Sequence, residues 1–350
     1  EVRDLVMAMG ETGAGIFQLA MERGEMQKMM GVYRSLADLS KKSGRPVTFG
    51  SLSRKKYPGQ WKALYDIIEE ENQLGARIWT QVHSREINSI LSFQTATPFD
   101  SWDVWKDFRK LPLDEQLGKL KSDASLKQKL IDIADRPYDG PEIVGAEARP
   151  PEWDMFYHMD KIRLPHPSIA QIGKERGITP AAAMIEVAIE DDLKAFFRQP
   201  LANENQDDAL ALMKHPRSNV TFSDSGAHVS QIMDSSLQTH LLSHWVRERE
   251  ALTLEEAVRM ITYDTATNWG FHDRGLLREG MTADITVFDA DKVEPCMPTV
   301  ENDLPSGSKR LKQYADGMLA TVVAGQTVLK EKKHTGALPG QLLRGPLARQ

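Results

Sequence analysis

What most limits the folds open to this chain is a regular alternation of strand-like and helix-like segments near its start. "GAGIFQLAM" (13–21) reads as a strand and "GEMQKMMGVYRSLADLSKKSG" (24–44) as a helix. "RPVTFGSLS" (45–53), helical "QWKALYDIIEEENQLG" (60–75) and "ARIWTQVHS" (76–84) repeat the pattern, and "SNVTFSD" (218–224) supplies a fourth strand. Alternation with short glycine-containing turns signals βα units and a parallel sheet, hence an α/β fold. The strands are apolar almost throughout, as expected when helices cover one face and a core fills the other.

Between about residues 93 and 218 the pattern changes to helical stretches with proline-rich joints such as "RLPHPS". A section this long between two strands is an inserted subdomain, since structureless loops rarely exceed about 15 residues. Its clearest helix is "ITPAAAMIEVAIEDDLKAFF", where Thr179 suits the N-cap and Pro180 the first helical position. A capping box, Thr253 with Glu256, opens "LTLEEAVRMIT". After Phe271 the signals turn to β: "ADITVFD" (283–289) and "LATVVAGQTVLKE" (319–331), the latter a hairpin centred on Gly325. The division expected is 1–275 for the sheet-and-helix portion and 276–350 for a small β-rich module.

The chain starts at Glu1, already in a helical pattern: Val2, Leu5, Val6 and Met9 share one face, with Gly10 as the expected stop. The natural N-terminus is therefore expected upstream. A net charge of -6 and pI near 5.9 argue against a nucleic-acid surface, which needs clustered positive charge. No apolar run approaches the ~20 residues of a membrane-spanning helix. One cysteine, Cys296, rules out an internal disulfide and fits a reducing compartment, so a cytoplasmic location is the expectation.

Catalytic groups in α/β barrels sit at the C-terminal ends of strands. That rule selects Gln18 and Glu22 on the first strand and Ser51 and Ser53 on the second. It selects Gln81, His83 and Arg85 on the third, and Asp224, Ser225 and His228 on the fourth. Asp224, in "TFSDSGAH", could ligate a cation, act on a metal-bound water, or return a proton to a departing amine. It could equally cap a helix starting near Ser225. Gln81 and His83 point the same way on a regular strand, and an arginine just past a strand end suits a carboxylate. His240 and His244 have a helical spacing able to hold zinc. The run "HLLSH" lacks the zincin glutamate, however, and with Leu241, Leu242 and Trp245 beside it reads as helix packing. The acidic "IEEEN" (68–72) reads as a solvated helix face.

In combination, "VTFSDSGAHVSQIMD" (220–234), "LLSHWVRERE" (241–250) with "LTLEEAVRMIT" (252–262), and "DRGLLREGMTADITVFD" (273–289) resemble the N-acyl-D-amino-acid deacylases of the amidohydrolase superfamily. The tail, "ENDLPSGSKRL" through "ATVVAGQTVL" to "HTGALPGQLLRG", is similar to the end of the same proteins. The resemblance is close over most of 219–345 and looser over the first ninety residues. It implies a TIM-barrel amidohydrolase, of which the four strands would be the fifth to eighth, with a β-sandwich built from both chain ends. It implies one or two metal ions, usually zinc, and hydrolysis of amide bonds in N-acylated amino acids. Asp224 would be metal ligand and proton shuttle, with Gln81, His83, Arg85, Ser225 and His228 shaping the substrate end. The partner expected is a small-molecule substrate, with no nucleic acid or membrane. Two departures accompany the likeness. The superfamily's first-strand His-x-His pair would precede Glu1, and the histidine ligands of the fifth and sixth strands are replaced by "IFQLAMER" and "VTFGSLSR". Half a barrel with open edges is not expected to be active alone. The alternatives are a related hydrolase of cyclic amides and a non-catalytic binding protein that has lost its metals.

Overall fold

The computed structural model describes residues 1–20, 26–137, 149–223 and 234–343. Helix α1 (Val2–Thr12) runs through Gly10, the expected stop, and ends at Gly13, whose φ of 66° closes it in the left-handed region. Gly10 serves close packing instead. A Cβ there would lie 2.9 Å from the carbonyl oxygen of Ser43 on the neighbouring helix.

The alternation continues as β1 (Phe17–Leu19), α2 (Met26–Ser43), β2 (Val47–Gly50), α3 (Gln60–Gln73) and β3 (Ile78–Val82). The next section holds β4 (Ile87–Leu91), α4 (Asp103–Phe108), α5 (Leu113–Ser122), α6 (Ala124–Ala134), β5 (Tyr157–His158), α7 (Ile169–Arg176), α8 (Pro180–Glu190) and β6 (Phe197–Ala202). Then come α9 (Gln206–Lys214) and β7 (Ser218–Val220). The four strands read from the alternation form one parallel sheet in the order β1-β2-β3-β7.

One face of this sheet is apolar as expected. Val47, Phe49 and Ile78 pack with Met29, Tyr33 and Leu36 of α2 and with Leu64 and Ile68 of α3. Tyr65 of α3 pins two strands together, its hydroxyl 2.6 Å from both Thr80 Oγ1 and Ser218 Oγ. The opposite face corrects the expectation of strands apolar throughout. It carries Gln18, Thr48, Trp79, Gln81 and Asn219, in matching register across the strands. Thr48, Gln81 and Asn219 are buried there, and Phe222 folds over Gly50, whose missing Cβ leaves the room. The acidic run is also corrected in part: Glu71 is buried and holds Arg34 Nη1 at 3.0 Å and Lys41 Nζ at 2.8 Å.

The section between β3 and β7 has its own core, around Phe93, Phe99, Trp105, Phe156 and Phe197. Thr179 caps α8 by accepting from the Ala182 N–H, with Pro180 at its first turn, as its sequence predicts. An antiparallel sheet in the order β4-β6-β5 lines this section and was not anticipated. Beyond β7 lie α10 (Leu237–His240), a π-helical stretch Leu241–Glu248, α11 (Leu254–Ile261) with both bonds of its capping box, and α12 (Tyr263–Asn268). Leu241, Leu242 and Trp245 are buried, as the packing reading holds. In the β-rich module, strands Met318–Val323 and Gln326–Lys330 pair around Ala324 and Gly325. Both turn residues have positive φ, 47° and 77°, the geometry of a two-residue hairpin that follows the strand twist.

Candidate functional site

Where β3 leaves the sheet, the chain runs His83-Ser84-Arg85-Glu86 into β4. His83 is fully buried, and its Nδ1 accepts the Arg85 backbone N–H at 3.0 Å, so the neutral ring carries its proton on Nε2. Ser84 ties the strand end to the helices after β7: its hydroxyl donates to the Leu237 carbonyl at 2.7 Å, and its carbonyl accepts from Trp245 Nε1. Arg85 is 8% exposed and donates through Nη1 to Ser236 Oγ at 2.6 Å. Asn203 holds the strand ends in register from the side. At a left-handed φ of 58°, it exchanges backbone and side-chain bonds with Ser53 and donates to the Arg85 carbonyl at 3.2 Å. Its short amide tolerates that conformation better than a branched side chain would.

Beyond Arg85 lies a buried polar cluster that brings β4, β6 and α10 together. Arg198 of β6 pairs with Glu86, donates through Nε to His166 Nδ1 at 2.8 Å, and stacks 4.2 Å from the centroid of the Tyr157 ring. The other nitrogen of His166 meets the Lys161 carbonyl at 2.8 Å. With one nitrogen accepting from a guanidinium and the other donating, the ring must be neutral. Burial and the Arg198 charge push His166 down to about 4. Burial raises Glu86, against the pull of Arg198 and Arg85, and burial lowers Arg198 against the pull of Glu86. His240 falls well below its ordinary value through burial of the ring, then through Arg85, His244 and His83.

A cavity of about 30 Å³ opens among Arg85, Glu86, Asn88, His166, Arg198 and His240. A second, of about 20 Å³, touches His240 from the other side and is bounded by His244, Glu248 and Glu294. The His240 and His244 rings stack with centroids 4.8 Å apart, and His244 Nδ1 lies 3.0 Å from Glu248 Oε2. Volumes of this size admit a water or two, or the end group of a larger molecule.

The residues selected from sequence do not all converge here. His83 and Arg85 stand together beside the cluster. Gln81 is buried on the polar sheet face, with its amide nitrogen 3.4 Å from Thr48 Oγ1. Ser51 is buried at the end of β2, and Ser53 donates to Asp208 at 2.6 Å. Gln18 is exposed on β1. Asp224, Ser225, His228 and Glu22 lie outside the described residues. Sequence reading missed Glu86, His166, Arg198 and Asn203, and treated His240 as packing alone. The available signal was Glu86 directly after Arg85. Its partner Arg198 is 112 residues away and nothing local announces it.

The zinc implied by the resemblance does not fit the described residues. Among them, no group of three His, Cys, Asp or Glu side chains could hold a metal ion. The ends of β1 and β2 offer amide and hydroxyl groups instead of imidazoles, and His83 has already given Nδ1 to a backbone N–H.

Residues 174–329 match the model of the amidohydrolase family. N-acyl-D-aspartate deacylase of Alcaligenes xylosoxydans xylosoxydans is 29% identical over 167 residues, 47% of this chain and 28% of that protein. N-acyl-D-glutamate deacylase of the same organism is 51% identical over 55 residues, 16% of this chain and 11% of that one. Among solved structures, N-acyl-D-glutamate deacylase of Bordetella bronchiseptica, complexed with zinc and a phosphonate mimic of the tetrahedral intermediate, superposes with a TM-score of 0.54. That match covers 99% of this chain and 60% of the neighbour at 16% identity, a likeness of fold. The chain thus spans less than two thirds of the length of the relatives it matches.

Proposed function

The chain is related to the D-aminoacylase-like amidohydrolases, and from that kinship we propose that its protein hydrolyses non-peptide C–N bonds, removing the acyl group from N-acylated amino acids. The observation that carries this reading is the pairing of β3 with β7, Val82 beside Val220. His83 and Arg85 follow one of these strands, and Asp224 follows the other by a few residues. Asp224 is proposed as the general base: it takes a proton from the attacking water as oxygen adds to the carbonyl, then delivers it to the leaving amine. Arg85 is suited to hold a substrate carboxylate with its planar fork. His83 and Gln81 support that end, and Ser225 and His228 belong to the same proposed lining.

The resemblance also makes Asp224 the proposed ligand of a divalent metal, zinc in the Bordetella relative. No step is drawn through that metal. The half-barrel with its insertion in 1–275 and the β-sandwich portion in 276–350 form part of the same proposal. D-amino acids are the proposed stereochemical class, since both curated relatives act on N-acyl-D-amino acids.

A screen of N-acetyl-D-aspartate, N-acetyl-D-glutamate and neutral N-acetyl-D-amino acids against cyclic amides tests this in the complete natural polypeptide. Free amino acid should appear from the acyl compounds and ring-opened product should not. Ring opening alone would replace the deacylase reading with that of a cyclic amidase. Tight binding without any turnover would favour a non-catalytic binding protein, a reading that gains support from the described ends of the four parallel strands, where His83 is the one imidazole.

A further inference from the structure

Among the described residues, the polar cluster beside Arg85 has a charge imbalance. The described lining of the 30 Å³ cavity brings two guanidinium groups, Arg85 and Arg198, against one carboxylate, Glu86. Glu86 is engaged by Arg198, which also reaches Asn88 Oδ1 at 3.4 Å and His166. Arg85 meets only a neutral hydroxyl among its described hydrogen bonds from the guanidinium, that of Ser236. A further carboxylate acting on Glu86, that of Glu204, is half-exposed, lies off the lining and accepts the Lys55 backbone N–H. His166 and His240 are neutral for the reasons given above, so neither adds charge. His240 keeps some exposure as a residue, yet its Nε2 is sealed from solvent with no hydrogen-bond partner among the described residues.

Two buried guanidinium groups sharing one carboxylate leave an excess of positive charge, so such a site favours an anion that enters it. The cavity has room for a halide or a bare carboxylate group.

We propose that the cavity among Arg85, Arg198, Asn88 and His240 is a binding site for a small monovalent anion, held between the two guanidinium groups. The anion has two possible sources with the same chemistry: a free halide, or the carboxylate end of a longer molecule. The site would clamp the β4–β6 sheet to the end of β3. It does not depend on amide hydrolysis.

The test is thermal unfolding of the complete natural polypeptide at constant ionic strength, with methanesulfonate replaced stepwise by chloride, by acetate, or by N-acetyl-D-aspartate. Above the dissociation constant, Tm should climb by about 2 °C for each tenfold rise in the free concentration of the anion that binds. Arg85→Gln should remove the climb. Asn88→Asp, which places a carboxylate inside the lining at the cost of the Asn88 amide's bond to the Glu86 carbonyl, should remove it too. A climb with chloride identifies a free-anion site. A climb with acetate or N-acetyl-D-aspartate but not chloride identifies a carboxylate pocket. No climb with any of the three, or an equal climb in Asn88→Asp, overturns the proposal. Because unfolding is the readout, the result stands whether or not the protein turns over an amide.

Discussion

His166 shows how one residue links packing to pH. Its ring is locked between the Lys161 carbonyl and Arg198 Nε, and a second proton would face a guanidinium. Its folded pKa of about 4 lies below the ordinary 6.5. The unfolded chain therefore takes up the proton first as pH falls. The stability this neutral ring contributes is whole above pH 6.5 and is lost as pH drops toward 4, by roughly 1–3 kcal/mol. His240 titrates in the same direction. His166→Gln keeps an acceptor for Arg198 without a titrating ring, so its Tm should fall less steeply than the native protein's between pH 6.5 and 4. Parallel profiles, measured by calorimetry at fixed salt, would show that the ring is not the titrating group. Glu86 differs: burial raises it, so its protonated form is favoured in the fold and its ionisation is a cost at neutral pH. That cost is offset by Arg198, which is why removing the arginine alone should harm the fold more than removing both.

At the scale of elements, the signals that proved readable were local. The helix caps at Thr179 and Thr253, the Gly325 turn and the four parallel strands all follow from residues within a few positions of each other. Thr253→Ala should lower stability by about 1 kcal/mol, read as a lower urea midpoint at unchanged slope. Glu256→Gln, which can still accept the Thr253 N–H, should lose less. Equal losses would mean that the reciprocal bond contributes through charge rather than through the hydrogen bond. Gly10 illustrates what was not readable. Its role depends on Ser43 of a different helix, and in sequence a packing glycine looks like a terminator. The β4–β6 pairing was hidden for a similar reason. Ile90 meets Arg198 across more than a hundred residues, and neither strand carries a turn signal that names the other.

On the scale of the whole molecule, the candidate site gathers parts distant in sequence: the end of β3, the sheet of the inserted section and the helices that follow. The third-strand residues His83 and Arg85 were legible because strand ends in parallel sheets collect chemistry. Their counterparts Glu86, Arg198, His166 and Asn203 were not, because each acquires its role only when the inserted section folds back on the sheet. We propose that the protein hydrolyses amides with Asp224 as base. The most direct test is the rate of amino-acid release from N-acetyl-D-aspartate and N-acetyl-D-glutamate by the complete natural polypeptide and its Asp224→Asn variant, at matched Tm. Turnover should fall by about 10³-fold or more while the melting temperature stays nearly unchanged. An Asp224→Asn protein that hydrolyses either substrate at the native rate would contradict the assignment.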